Sequence, residues 1–162
     1  MRVNACIEVS APPEAVWKIV SDPRRYLEFM SGVTRWEVHS EDPKGIGARY
    51  RVLFLVGSAE VGGTIEVVEW KEPSDMAWTS VLGIDQRGRW RIRPRPMGRS
   101  RVELRLSYGV PASGPIGWLA DRVAAPMVNG HLRRSLQQLK RLVEHEQQRA
   151  LAEQRRRRRA AA

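Results

Sequence analysis

The sequence predicts an α+β domain in which a curved, seven-stranded antiparallel sheet wraps one long C-terminal helix. Three observations predict it. Seven stretches between residues 2 and 109 carry alternating or β-branched patterns separated by Gly, Pro and Asp turns, as strands with one wet face do. From about 115 to 150 the apolar residues recur at helical spacing. Between the first and second strands lie two short helical segments with their own stop signals.

The first strand, residues 2–9, sets Val3, Ala5, Ile7 and Val9 on one side and Arg2, Asn4, Cys6 and Glu8 on the other. Ser10 is a candidate N-cap for a helix beginning at Pro12-Pro13, where a missing N–H costs little. Ala15, Val16, Ile19 and Val20 give that helix its apolar face. Ser21-Asp22-Pro23 stops it and starts a second, carrying Tyr26, Leu27 and Phe29. Turn signals then mark strands near 33–40, 47–56, 59–70, 76–82, 86–94 and 100–109. In the last two, Gly88, Trp90, Ile92, Val102, Leu104, Leu106 and Tyr108 oppose a row of arginines. Residues 110–114 read as a loop. In the final helix Leu119, Val123, Met127 and His131 follow steps of four, and Leu132, Leu136, Leu139, Leu142 and Val143 extend the stripe. Pro126 should kink this helix and Gly130 weaken it.

The 162 residues suit one domain with one core, at 42% hydrophobic and 28% charged. The domain is expected over 1–148, with 149–162 a basic, disordered tail. A single cysteine excludes an internal disulfide and any multi-cysteine metal site, and its alternating surroundings suggest a buried, inert thiol. No apolar run reaches the length of a membrane span, and the N-terminus goes directly into alternation without a signal-peptide pattern. A cytoplasmic address is expected, with peripheral membrane contact as a variant of it. The net charge of +10 draws on six arginines against Glu146 and Glu153 in the final segment and on the arginine row of the sheet.

The order of elements resembles the helix-grip fold of the START-like superfamily, which includes polyketide cyclases, Bet v 1-like proteins and lipid-transfer domains. Ala11-Pro12-Pro13-Glu14-Ala15-Val16-Trp17 with Ser21-Asp22-Pro23 is similar to that family's exit from strand one. Gly45-Ile46-Gly47-Ala48-Arg49-Tyr50 resembles the start of its third strand. Gly88-Arg89-Trp90 and Gly98-Arg99-Ser100-Arg101-Val102 resemble its last hairpin, and Leu132, Leu136, Leu139 and Lys140 its final helix. The resemblance spans residues 2 to about 145. It implies a cavity between sheet and helix for lipids, polyketides or other hydrophobic molecules. Fold alone does not choose among binder, transporter and cyclase.

If Arg49 and Arg51 face water, then Ala48, Tyr50, Val52 and Phe54 face the helix, joined by Trp78, Ser80, Trp90, Ile92, Leu104, Leu106 and Tyr108. Leu119, Val123, Met127 and His131 would point back from the helix, with Trp118 near the entrance. The same set could equally form a closed core. Tyr50, Ser80, Tyr108 and His131 supply the few polar heads that ligand sites carry. His131 is the best polar candidate, although a core histidine outranks a catalytic base there. Glu66, Glu69 and Glu103 fall on outward parities, His39 and His145 lack metal spacing, and no nucleophile elbow or phosphate loop occurs. No catalytic, cofactor or metal constellation is legible.

Arg87, Arg89, Arg91 and Arg93 form the other feature, either a solvated face that discourages edge pairing or a contact for an anionic membrane or acidic partner. Nucleic acid ranks lower, because no stacking aromatics are interleaved with them. The leading expectation is a binder or carrier of a hydrophobic small molecule. A polyketide cyclase or dehydratase and a module working through its basic face are the alternatives.

Overall fold

A computed structural model of the chain describes residues 2–109 and 115–161, with the backbone course alone for Val56 and residues 115–125. The sheet runs β1 (Arg2–Val9), β2 (Val33–Val38), β3 (Arg49–Val56), β4 (Ala59–Lys71), β5 (Asp75–Gly83), β6 (Gln86–Arg95) and β7 (Arg99–Tyr108). Its order is β1-β7-β6-β5-β4-β3-β2, antiparallel throughout. Strands β2 to β7 form a meander, and β1 closes the far edge by pairing with β7. Helices α1 (Pro13–Val20) and α2 (Tyr26–Phe29), joined by the 3-10 turn Pro23–Arg25, cross from β1 to β2. Helix α3 (Pro115–Ala160) lies across the concave face. The loop expected at 110–114 falls outside the described residues.

Alternation places the core as expected. Val52, Ile65, Val67, Trp90, Ile92, Val102 and Leu104 are buried on the concave side against Leu132, Leu136, Leu139 and Val143 of α3. Two registers shift in β4, at Thr64/Ile65 and Val67/Glu69, and bulges of this kind increase the bend of the sheet. Gly88 has a packing role. The Trp78 indole lies directly over its Cα, where any side chain would overlap it.

Three expectations need correction. Ser10 does not cap α1; Pro12 holds that position with no side-chain bond, and the Ser10 N–H goes to Glu144 Oε1 of α3 at 2.8 Å. Cys6 is exposed beside Arg101, since its parity puts it on the wet face with Asn4 and Glu8. Residues 149–160 continue α3 as helix instead of forming a disordered tail. Helix α3 carries Pro126 and Gly130 in its interior and runs on through both.

Candidate functional site

The two poles of the sheet are built differently. Where α1 and α2 cover it, aromatic side chains plug the space. Tyr26 stacks on Trp36 with centroids 3.8 Å apart, and Phe29 meets Trp90 edge-on at 6.2 Å. The Tyr26 hydroxyl donates to the Val20 carbonyl at 2.6 Å and accepts from Trp90 Nε1 at 3.1 Å. Burial pushes the Tyr26 hydroxyl well above its ordinary pKa of 10, so it stays protonated and able to donate. Trp36 Nε1 is sealed here without a partner among the described residues.

At the opposite pole the ends of β3, β5 and β7 and the start of β6 bring Phe54, Ser80, Gln86, Leu106 and Tyr108 to the concave face. Phe54 and Tyr108 are half-buried and pack against the edge of the core, whereas Trp78, Trp90, Ile92 and Val52 lie deep within it. The expected wall therefore divides into a filled floor and a rim. Trp118, Leu119 and Val123 lie outside the residues whose side chains are described.

Met127 does not line the wall: it is 39% exposed, and Val128 packs on the core in its place. The reason is geometric. Successive steps of four drift about 40° around a helix, so a stripe that stays on one face must mix steps of three with steps of four. Val128, Leu132, Ser135, Leu139 and Val143 do so.

His131 is half-buried against the connection between α2 and β2. Its Nδ1 lies 2.9 Å from Ser31 Oγ, while Ser135 Oγ accepts from the Ser31 N–H at 2.9 Å and donates to the His131 carbonyl at 2.8 Å. Gly32, at φ +82°, comes so close that an added Cβ would stand 2.8 Å from the imidazole. Burial, aided by the charge of Arg134, lowers the pKa of His131 from its ordinary 6.5. The arrangement clamps α3 onto the mouth of β2 and leaves a neutral imidazole there. Sequence reading missed Ser31 and Ser135, since a serine in a turn or on a helix carries no periodic signal.

The other polar heads are also occupied. Tyr50 donates to the Pro43 carbonyl at 2.7 Å, and burial, with Asp22 nearby, pushes its pKa up to about 12. Ser80 Oγ accepts from the Gln86 N–H at 3.1 Å and contacts Asp85 Oδ1 at 3.5 Å. Tyr108 also has an interaction partner.

On the convex face the arginine row is largely neutralised across strands. Arg89 makes a bidentate pair with Glu69. Asp75, whose side chain is 8% exposed, receives Arg93 at 2.9 Å, Arg91 at 3.5 Å and Arg89 at 3.8 Å. The Arg91 contact is an ion pair without a hydrogen bond from Nε. Glu69 and Asp75 arrive from β4 and β5, distant in sequence from the arginines they pair with. Arg87 is exposed with no ion-pair partner among the described residues. Among those residues no cluster of His, Cys, Asp and Glu suits a metal, and no helix is long and apolar enough to cross a membrane.

A seven-stranded curled sheet gripping a long C-terminal helix, with short helices after β1, defines the START-like, helix-grip class. The chain belongs to the family described as polyketide cyclase / dehydrase and lipid transport, which it matches over residues 1–144. Its fold is similar to that of a protein from Thermus thermophilus, at TM-score 0.77 and 23% identity, over 88% of this chain and 97% of that one. A START superfamily protein from Mycobacterium smegmatis matches at TM-score 0.67 and 18% identity, covering 88% and 98%. The Zhui aromatase/cyclase from a Streptomyces species matches at TM-score 0.67 and 18% identity, covering 88% and 95%. At these identities the likeness is one of fold. No protein of curated function matches the chain.

Proposed function

We propose that the protein binds or carries a hydrophobic small molecule, a lipid, polyketide or similar compound, between the open pole of the sheet and the first half of α3. The observation that supports this most directly is the contrast between poles. Aromatic rings plug one, while the other presents half-buried Phe54 and Tyr108 beside Leu106. Family membership supports the same ligand class. On this reading Tyr50, Val52, Trp78, Trp90 and Ile92 form the floor, and residues 1–148 are the binding unit with 149–162 as a basic appendage. Native mass spectrometry and solvent extraction of protein purified from its own host test it. A co-purifying hydrophobic compound is expected; an empty protein whose crystal structure has a filled interior would sink the reading.

A cyclase or dehydratase is the second reading, favoured by the family description and by the neutral imidazole of His131. It ranks lower because the described polar heads are engaged within the fold. Turnover of a poly-β-keto substrate that survives substitution of His131, Tyr50 and Tyr108 would remove it. A module that docks on anionic membrane through Arg87 to Arg93 ranks below both, since three of those four arginines are ion-paired.

A further inference from the structure

The concave wall holds few polar side chains, and nearly all have partners inside the fold: Tyr50 with Pro43, Ser80 with Gln86 and Asp85, His131 with Ser31. Gln86 differs. It opens β6 on the inward parity shared with Gly88, Trp90 and Ile92, directly opposite Tyr108 of β7, and only 9% of its surface is exposed. Its backbone N–H is bound to Ser80, but its side-chain amide makes no hydrogen bond among the described residues. The amide is not among the sealed side-chain atoms that lack a partner, so its tip reaches the open surface of this pole, where water or a ligand group can complete it.

We propose that the Gln86 amide is the polar anchor of the site, hydrogen-bonding an uncharged oxygen, carbonyl or hydroxyl, on an otherwise apolar ligand. The inference rests on the cavity reading above and narrows its ligand class. A carboxamide both donates and accepts, so it suits a ketone, a phenol or an alcohol equally well. Asp85 precedes it in the chain and reaches the same Ser80 hydroxyl, so negative charge already sits at this corner. A carboxylate head would be repelled there. The site is therefore suited to oxygenated neutral hydrophobes and not to free fatty acids.

The test uses the full chain and two near-isosteric probes, 1-naphthol and 1-methylnaphthalene, which differ in a hydroxyl against a methyl group. Affinities are measured by calorimetry for wild type, Gln86→Leu and Gln86→Met, with melting curves confirming that each variant folds. Both probes should bind wild type. Each substitution should weaken 1-naphthol fivefold to tenfold, about 1–1.4 kcal/mol, and leave 1-methylnaphthalene unchanged or tighter. If both probes respond alike, the amide holds only water and the anchor is overturned while the cavity stands. If neither probe binds wild type, the cavity reading falls and the anchor with it.

Discussion

Replacing Gly32 with alanine separates two physical costs at the clamp between α3 and β2. The residue sits at φ +82°, where a Cβ crowds its own backbone for about 1–2 kcal/mol. The new methyl would also lie 2.8, 2.9 and 3.0 Å from Nδ1, Cε1 and Cγ of His131, inside the ordinary 3.4–4 Å range. The imidazole cannot simply retreat, because Ser31 holds its Nδ1 at 2.9 Å. Overpacking of this kind costs about 1–3 kcal/mol, so Gly32→Ala should destabilise by about 2–5 kcal/mol in all. In a His131→Ala background the steric part disappears and about 1–2 kcal/mol remains. Urea denaturation of wild type, both single variants and the double variant, followed by far-ultraviolet circular dichroism, measures the coupling. A cost for Gly32→Ala that is below about 0.5 kcal/mol, or that His131→Ala leaves unchanged, would refute the close approach.

Three further outcomes are expected. Asp75→Asn should cost about 2 kcal/mol at neutral pH, because three guanidinium groups lose a shared, nearly buried carboxylate. Burial raises the pKa of Asp75, but hydrogen bonds from Arg93 and Ser74 and the charges of Arg93 and Arg91 outweigh it and hold the group below its ordinary 3.8. Its contribution is therefore complete above 3.8 and fades as pH falls below it, so urea midpoints of the two proteins should converge in acid. Tyr26→Phe should cost about 1–3 kcal/mol by orphaning Trp90 Nε1 and the Val20 carbonyl; a smaller loss in thermal melts would show that the bonds contribute little. His131, held below 6.5, stabilises the fold fully above that pH and loses its contribution as pH drops through the window beneath. Its proton resonances should titrate below 6.5 and move upward in Arg134→Gln, and a midpoint at or above 6.5 would contradict its burial.

Most of the fold was legible because it rests on periodicity, which is a local property. Each strand boundary fell within a few residues of its expectation, since Gly and Pro punctuate the turns and one face of each strand is wet. The parity argument placed Tyr50, Val52, Trp90 and Ile92 correctly for the same reason. What it could not separate was floor from rim. Ile92 and Phe54 have the same parity, and only the packing of α1 and α2 against one pole makes the first core and leaves the second half-open. The pairing of the arginine row was hidden because Glu69 and Asp75 are about twenty residues away in sequence and one or two strands away in space. Ser10 misled because a serine before a proline pair has the composition of a cap, while its backbone was claimed by Glu144 from the far end of the chain.

On the proposed reading, stability and recognition are sorted to opposite ends of one sheet. At the closed pole a chain of donors and acceptors, from Trp90 through Tyr26 to Val20, satisfies the indole N–H of Trp90 and the hydroxyl of Tyr26, two aromatics buried where α1 and α2 cover the sheet. That pole leaves little freedom to change without cost. At the open pole the hydroxyl of Ser80 is already committed to the β5–β6 turn, so it fixes the backbone of Gln86 and not a ligand. If the proposed site holds, selectivity for a bound molecule concentrates in few side chains. The amide of Gln86, without a hydrogen bond among the described residues, is the one whose chemistry the fold itself does not use. A relative that changed ligand class could alter that position and the rim at Phe54 without disturbing the aromatic plug. The same separation would explain why the fold is so much easier to read from this sequence than its ligand: the plug is written in periodic apolar residues, whereas the proposed anchor is one glutamine at the first position of a strand.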